Sequence, residues 1–213
     1  MVWDYIRDPA AIYRASFATI DAEVDFGTRS ALERRLITRM IHACGMVDLI
    51  QDVHDWGDCA AVGAQALADG RPIFVDVEMV RNGIIRKRLA ADNLILCTTH
   101  DPRAVPKAAE IGNTRSAAGV DLWEAEDVEG AVVAIGNAPT ALFRLMELIE
   151  QGKLPKPACI LGLPVGFVGA VESKQALLEW APTQQIPGLV VTGRRGGSAM
   201  AAAAVNAMAS AAN

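Results

Sequence analysis

The stretch Ala131-Val-Val-Ala-Ile135 is continuously apolar and leads directly into Gly136-Asn-Ala-Pro-Thr140, a short loop of small residues that opens a helical pattern. A strand without polar alternation is typical of a parallel sheet whose two faces are both covered by helices. Four more runs share this order of strand and helix-like segment: Pro72-Ile-Phe-Val-Asp-Val-Glu-Met79, Asn93-Leu-Ile-Leu-Cys97, Ala158-Cys-Ile-Leu161 and Gly188-Leu-Val-Val-Thr192. The five βα units predict an α/β fold with a five-stranded parallel sheet.

Two helices are predicted before the first of these strands. Asp8-Pro9 joins a capping residue to the residue that best fits the first helical position, and this helix runs towards Asp25. The second helix begins at the capping box Ser30-Ala-Leu-Glu33 and ends at Gly45, a residue that favours the left-handed C-terminal cap. No repeat, linker or boundary interrupts the sequence, so we expect a single domain over 1–213.

The composition excludes several classes of function. Hydrophobic residues make up 52% of the chain and aromatic residues only 5%, which indicates a core of Ala, Val, Ile and Leu. A formal net charge of -5 gives no overall attraction to nucleic acid or to an anionic membrane, so an anionic ligand would need locally clustered arginines. The four cysteines form no CxxC pair. Neither the N-terminus nor the Ala-rich segment 198–212 predicts a signal peptide or a membrane span, and we expect a cytoplasmic protein.

His42 is the candidate for proton chemistry, because an imidazole exchanges protons near neutral pH. On a helical wheel it falls opposite the apolar stripe of the second helix, on the side of Arg35, Thr38 and Arg39. The partial negative charge of the carbonyl groups near Gly45 favours an imidazolium in the last turn, whereas the positive charge of Arg39 opposes it. The alternative is a solvated surface histidine.

No metal or cofactor motif accompanies this histidine. His54-Asp55 and His100-Asp101 lie outside any spacing typical of metal ligands, and we interpret both pairs as loop residues. The sequence contains no GxxxxGK(S/T) loop, no GxSxG elbow and no dinucleotide fingerprint. We therefore predict no metal and no cofactor.

The glycine-rich loops after the strands are the expected ligand sites, because open α/β sheets bind ligands at the carboxyl ends of the strands, where the strand order reverses. Gly193-Arg-Arg-Gly-Gly-Ser198 is the best candidate for a carboxylate or phosphate site; the alternative is an ordinary glycine-rich turn. If the arginines of the chain converge at one rim, they favour a substrate with several carboxylates. The arginines concerned are Arg39, Arg86, Arg88, Arg115, Arg194 and Arg195.

Five motifs follow one another along the chain: Arg39-Met-Ile-His-Ala-Cys-Gly45, Glu110-Ile-Gly-Asn-Thr-Arg-Ser-Ala-Ala118, Val133-Ala-Ile-Gly-Asn-Ala-Pro-Thr-Ala-Leu142, Gly162-Leu-Pro-Val-Gly-Phe-Val-Gly-Ala-Val-Glu-Ser-Lys174 and Gly196-Gly-Ser-Ala-Met200. In this order they resemble the precorrin-8X methylmutase family, also called precorrin isomerase. The similarity extends to Asp4-Tyr-Ile-Arg-Asp8 and Ile12-Tyr-Arg-Ala-Ser-Phe17. The resemblance implies a flavodoxin-like three-layer fold and a homodimer with sites near the subunit interface.

The resemblance also implies a reaction, the transfer of a methyl group from C-11 to C-12 of precorrin-8X to give hydrogenobyrinic acid in cobalamin (vitamin B12) biosynthesis. His42 would be the general acid that protonates a ring nitrogen near the migrating methyl. The residues that match the family's motifs and are thereby assigned to substrate binding are Ser16, Arg39, Arg115, Asn137, Lys174 and Arg194. A redox-neutral methyl shift needs no nucleotide, metal or methyl donor. The sequence departs from the family pattern at Ile85 and Arg195.

Two other functions stay open on the residues alone. A non-catalytic module could bind an anionic small molecule at the same strand ends, and it would leave the absorption spectrum of a tetrapyrrole unchanged. A phosphosugar isomerase on a similar sheet would ignore tetrapyrroles and bind phosphate at Gly193-Arg-Arg-Gly-Gly-Ser198.

Overall fold

A computed structural model describes residues 2–209 of the chain; Met1 and residues 210–213, which include the end of the Ala-rich segment, lie outside the described residues. The strands are β1 Val53–Trp56, β2 Ile73–Val75, β3 Ile95–Leu96, β4 Val132–Ile135, β5 Cys159–Gly162 and β6 Gly188–Val191. The α-helices are α1 Pro9–Glu23, α2 Ala31–Cys44, α3 Cys59–Ala68, α4 Glu78–Gly83, α5 Ala104–Ile111, α6 Arg115–Val120, α7 Ala125–Val128, α8 Pro139–Glu150, α9 Ala170–Thr183 and α10 Ser198–Ala209. Short 3₁₀ helices span Val47–Gln51 and Arg86–Arg88.

The strands form one sheet in the order β1-β6-β5-β4-β2-β3. β2 to β6 pair in parallel, and their spatial order is that of the flavodoxin-like doubly wound sheet. The α/β class and the flavodoxin-like arrangement predicted from the sequence are thus confirmed. The strand order reverses between β2 and β4, which puts the ends of these two strands next to each other.

The sheet contains a sixth strand that the sequence analysis missed. β1 pairs antiparallel with β6, in a register that places Val53 opposite Val191 and His54 opposite Val190. The interpretation of His54 and Asp55 as loop residues is therefore wrong, and the sheet is mixed rather than purely parallel. The stretch has little β-branched character of its own, so its strand conformation depends on pairing with β6.

Two helical layers cover the sheet, because successive side chains of a strand point to opposite faces. In β4, Val132 and Ala134 belong to the apolar cluster that contains residues of α1, α2, α3 and α10. Val133 and Ile135 belong to the cluster on the other face, which contains residues of α8 and α9. The four side chains are fully buried, which confirms the three-layer architecture.

The helix boundaries near the candidate site follow the local signals in the sequence. The Oδ2 of Asp8 accepts the N–H of Ala11 at 2.7 Å at the start of α1. Ser30 and Glu33 form the capping box of α2, and Gly45 ends this helix with a φ of 72°. The predicted strand 72–79 is too long, since β2 is only three residues long and α4 starts within the same run.

The Ala-rich segment forms α10, which packs against α2 and α4. Small side chains allow the helices to approach closely, and Ala201, Ala204 and Val205 of α10 are fully buried. Nowhere in residues 2–209 is a helix both long and apolar enough to cross a lipid bilayer.

Candidate active site

His42 lies in the last turn of α2, and its side chain is exposed. Its neighbours Met40 and Ile41 are buried in the core, so the imidazole points away from the packed face of the helix, as the helical wheel predicts. The side chain is therefore accessible to a ligand.

One face of α1 holds the imidazole of His42. The Oγ of Ser16 forms a hydrogen bond with Nδ1 of the ring at 2.7 Å. The ring centroids of Tyr13 and Phe17 lie 5.2 and 5.5 Å from that of His42. Residues three and four positions apart share a helix face, so α1 supplies all three contacts together. Since Nδ1 is engaged, Nε2 is the ring nitrogen left for a ligand.

Arg39 lies one turn before His42, and its guanidinium carbon is 5.6 Å from the ring centroid of Phe17. Its Nε is buried and finds no hydrogen-bond acceptor. Burial lowers the pKa of Arg39, and the positive charge of Arg88 lowers that pKa further. The structure thus brings Ser16, Arg39 and His42 together in a patch whose uncompensated positive charge suits an anionic ligand.

The flank of α2 that faces α1 is less exposed than the helical wheel predicts. Thr38 is only 4% exposed, because α1 covers it. Thr38 contributes to a cavity of about 610 Å³ between the two helices, next to His42 at Phe17. The other side chains of this cavity are those of Asp21, Val24, Asp25, Phe26, Ala31, Arg34 and Arg35.

A carboxylate of the chain itself occupies the carboxyl end of the sheet between β2 and β4, where the strand order reverses. Asp76 follows β2 and is 2% exposed. Its carboxylate oxygens accept the backbone N–H groups of Gly136 and Asn137 at 2.9 Å and of Ala138 at 2.6 Å. Burial raises the pKa of Asp76, whereas the three amide donors oppose that rise. The loop after β4 is therefore fixed to β2, in the position where doubly wound sheets usually hold a ligand.

Arg115 and Asn137 lie at neighbouring helix starts. Thr114, the N-cap of α6, and Thr140, in the first turn of α8, are joined by a hydrogen bond of 2.7 Å between their hydroxyl groups. Arg115 is exposed and Asn137 is half-buried. No hydrogen bond or ion pair within residues 2–209 joins either side chain to His42, so these two residues form a group separate from the cluster around His42.

Lys174 and Arg194 are connected with the loop that precedes α10. Lys174 is fully buried, and its Nζ donates to the carbonyl oxygen of Arg195 at 2.6 Å. Burial lowers the pKa of this ammonium to about 8. Arg195 is held by Asp52, whereas Arg194 is exposed and lies 5.1 Å from the ring centroid of Phe167. Lys174 therefore fixes the loop, and Arg194 is the guanidinium that the loop presents to solvent.

The other histidines do not join the cluster at His42. His54 lies in β1 and His100 in a turn, and both are exposed. Among the described side chains, no group of three or more His, Cys, Asp or Glu could hold a metal ion.

The family model described as CbiC: Precorrin-8X methylmutase matches residues 11–211. The chain belongs to the precorrin-8X methylmutase family. The precorrin-8X methylmutase of Pseudomonas aeruginosa is 53% identical over 97% of both chains, and that of Sinorhizobium sp. is 53% identical with the same coverage. The cobalt-precorrin-8 methylmutase of Salmonella typhimurium is 36% identical over 96% of both chains.

Solved structures agree with this membership. A crystal structure of precorrin-8X methylmutase from Thermus thermophilus superimposes with a TM-score of 0.84 and 36% sequence identity, and it covers 95% of this chain and 96% of that chain. The resemblance deduced from the motifs is confirmed. The comparisons do not support the binding module or the phosphosugar isomerase.

Membership in the methylmutase family does not by itself identify every residue near His42. From the sequence alone, no role was assigned to Tyr13, Phe17 or Asp76, and Arg88 was named only as one of six arginines that would bind carboxylates if they converged at one rim. The spacing of Tyr13 and Phe17 around Ser16 could have revealed the first two, since all three share one helix face. An aspartate within an apolar strand run could have revealed Asp76. The position of Arg88 depends on contacts between distant segments, and no local pattern shows it.

Proposed function

We propose that the chain is an isomerase that moves a methyl group from C-11 to C-12 of precorrin-8X, giving hydrogenobyrinic acid, with His42 as the proton donor. One observation carries this proposal: an exposed imidazole at the end of α2 is oriented by Ser16 at 2.7 Å and flanked by aromatic rings. The names of the relatives at 53% identity support the choice of reaction.

The hydrogen bond with Ser16 suits a ring that donates a proton from Nε2. In the imidazolium form, the N–H at Nδ1 donates to the Oγ of Ser16. After Nε2 has given up its proton, the same hydrogen bond holds the neutral ring in the same orientation. The acid can therefore be used and restored without rotation of the imidazole.

Protonation of a ring nitrogen near the methyl group promotes the shift. It makes the conjugated macrocycle electron-poor, so the bond from C-11 to the methyl group can break as the bond to C-12 forms. No electrons leave the substrate, and the proton returns to His42 afterwards. A positioned general acid typically contributes roughly 10² to 10⁴ in rate.

The remaining predicted residues would bind and align the macrocycle. Arg39 lies beside the proton donor, and the exposed Arg115 and Arg194 lie where loops meet helix starts. Guanidinium groups bind carboxylates with two parallel hydrogen bonds, which fixes orientation as well as affinity. We assign Asn137 to the wall of the site and Lys174 to positioning of the loop that carries Arg194.

We propose the metal-free precorrin-8X, rather than its cobalt form, as the natural substrate. Relatives named for precorrin-8X are 53% identical, whereas the Salmonella typhimurium relative named for cobalt-precorrin-8 is 36% identical. Competition between the two substrates in one reaction tests this, and we expect a larger kcat/KM for the metal-free compound. Equal values would refute the assignment.

We further propose a homodimer located in the cytoplasm. The cluster around His42 lies on an open surface, and a macrocycle needs more enclosure than α1 and α2 supply. Apolar side chains are exposed at the N-terminal segment and at the loop after β5; they are Val2, Trp3, Tyr5, Ile6, Val165, Phe167 and Val168. A second copy of the chain would cover such surfaces. Light scattering should give twice the monomer mass, and Phe167→Ser should weaken the dimer.

The activity test follows the absorption spectrum of precorrin-8X during incubation with the protein. We expect conversion by the wild type and at least an approximately 100-fold lower kcat for His42→Ala. Ser16→Ala should lower kcat about tenfold, since it removes one orienting hydrogen bond. His54→Ala and His100→Ala are matched controls, because both rings are exposed and neither contacts Ser16. Full activity of His42→Ala would refute the proposed role.

A further inference from the structure

The segment that leads into Arg88 is attached to α10 by a buried asparagine. The Oδ1 of Asn206 accepts the N–H of Ile85 at 2.7 Å, and its Nδ2 donates to the carbonyl oxygen of Gly83 at 2.9 Å. These bonds attach the segment between α4 and the 3₁₀ helix Arg86–Arg88 to α10, which itself packs against α2. Arg88 and Arg39 come from segments far apart in sequence, yet the positive charge of Arg88 is felt at Arg39.

Both guanidinium groups have an N–H that is removed from solvent and has no acceptor. The atoms are Nε of Arg39 and Nη1 of Arg88. Neither arginine forms an ion pair with a carboxylate of residues 2–209. Two half-buried guanidinium groups that repel each other, each with a buried N–H left without an acceptor, are unfavourable for the unliganded protein.

Three other half-buried arginines, Arg81, Arg144 and Arg195, form ion pairs with carboxylates of the chain. Arg144 binds Asp121 at 2.6 Å, and Arg195 binds Asp48 at 2.7 Å. The Arg39 and Arg88 pair is different, since no carboxylate of the described residues supplies its counter-charge. A polar arrangement that is unfavourable alone and sits beside a proton donor is typical of a ligand site.

We propose that Arg39 and Arg88 together bind one carboxylate of the substrate next to His42. This inference rests on the proposed function and adds Arg88 to the site. A carboxylate offers two oxygens and can accept from both guanidinium groups at once. The bound anion would also offset the positive charge beside the imidazole. The two rings and the guanidinium at this place are already in contact, because Phe17 packs against both His42 and Arg39.

The test compares Arg88→Met with Arg88→Lys and with the matched control Lys87→Met, whose side chain is exposed on the same 3₁₀ helix. The measurements are the Kd of hydrogenobyrinic acid, the KM and kcat for precorrin-8X, and the urea midpoint of the unliganded protein. We expect Arg88→Met to weaken product binding about 10- to 100-fold and to raise KM more than it lowers kcat. Arg88→Lys should retain part of the affinity, and Lys87→Met should change it less than about twofold.

The stability measurement separates a binding role from a structural one. Because the buried Nη1 of Arg88 has no acceptor in the unliganded chain, Arg88→Met should leave the urea midpoint unchanged or raise it. A lower midpoint combined with unchanged product affinity would overturn the inference. As a further check, hydrogenobyrinic acid with esterified carboxylates should bind wild type and Arg88→Met equally. A wild type that fails to bind hydrogenobyrinic acid would instead refute the proposed function, and the inference with it.

Discussion

Replacement of Asp76 by asparagine tests how the loop after β4 is held. Asparagine has almost the same size and shape as aspartate, so the change removes charge without creating a cavity. The carboxylate accepts three backbone N–H groups at 2.6 to 2.9 Å. We expect it to stay ionised at neutral pH, because three donors converge on it although burial raises its pKa.

The expected loss of stability follows from these three bonds. Hydrogen bonds to a charged group contribute about 1.5 to 3 kcal/mol each, and a buried N–H left without an acceptor costs about 1 to 3 kcal/mol. The substituted side-chain amide keeps one accepting oxygen and turns an NH₂ group towards the remaining donors. We therefore expect Asp76→Asn to lower the free energy of unfolding by about 3 kcal/mol.

Urea and thermal unfolding at one fixed protein concentration measure this loss. A change of about 3 kcal/mol corresponds to a urea midpoint lower by roughly 1 M and a Tm lower by roughly 6 to 12 °C in a chain of this size. Asp92→Asn is the matched control, since Asp92 is less buried and accepts no hydrogen bond from the loop after β4. If Asp76→Asn unfolded at the wild-type midpoint, the carboxylate would be neutral or unnecessary, and the argument for its role would be refuted.

Three further changes test other parts of the fold. Burial and a hydrogen bond with Glu33 raise the pKa of Asp55 to about 6, so the proton that stabilises the folded state is lost as pH rises through that value. Asp55→Asn should therefore reduce the fall in the free energy of unfolding between about pH 5 and 7, by roughly 1 kcal/mol. Parallel curves of unfolding free energy against pH for wild type and variant would contradict this. The pKa of Lys174 is lowered to about 8, so the folded protein releases this proton at a lower pH than the unfolded chain does. The free energy of unfolding of the wild type should therefore rise between about pH 8 and 10 relative to that of Lys174→Met. An equal pH dependence of the two proteins would count against this. A methyl group on Gly136 would lie 2.6 Å from a side-chain carbon of Val80 and 2.9 Å from that of Ala201. Gly136→Ala should therefore lower the free energy of unfolding in urea by about 1 to 3 kcal/mol. An unaltered urea midpoint would show that these neighbours can move.

Local signals account for the parts of the fold that the sequence predicts well. The capping box at Ser30 and the left-handed Gly45 fix both ends of α2, and each depends on residues within a few positions. β1 could not be predicted in this way. Its partner β6 lies more than 130 residues away in sequence, and Val53-His-Asp-Trp56 becomes a strand only when that partner is in place.

The candidate site shows the same division between local and distant information. The motif around His42 and the match to Ser16 came from the resemblance, and the structure adds the 2.7 Å contact between them. Arg88 was one arginine among several in the sequence. The segment before it is attached to α10 through Asn206, and the buried N–H of Arg88 has no acceptor; a pattern along the chain does not contain that information.

The antiparallel strand β1 separates the N-terminal helices from the parallel part of the sheet along the chain. The polypeptide completes α1 and α2 and reaches the outer edge of the sheet through β1 before the first parallel strand begins. The imidazole proposed as the proton donor and its serine therefore lie in an N-terminal unit formed by α1 and α2. The arginines proposed to bind the substrate, apart from Arg39, come from the doubly wound sheet and its helices. Substitutions in this N-terminal unit should alter turnover, and substitutions in the doubly wound part should alter which tetrapyrrole is bound. The two properties can therefore diverge independently among relatives.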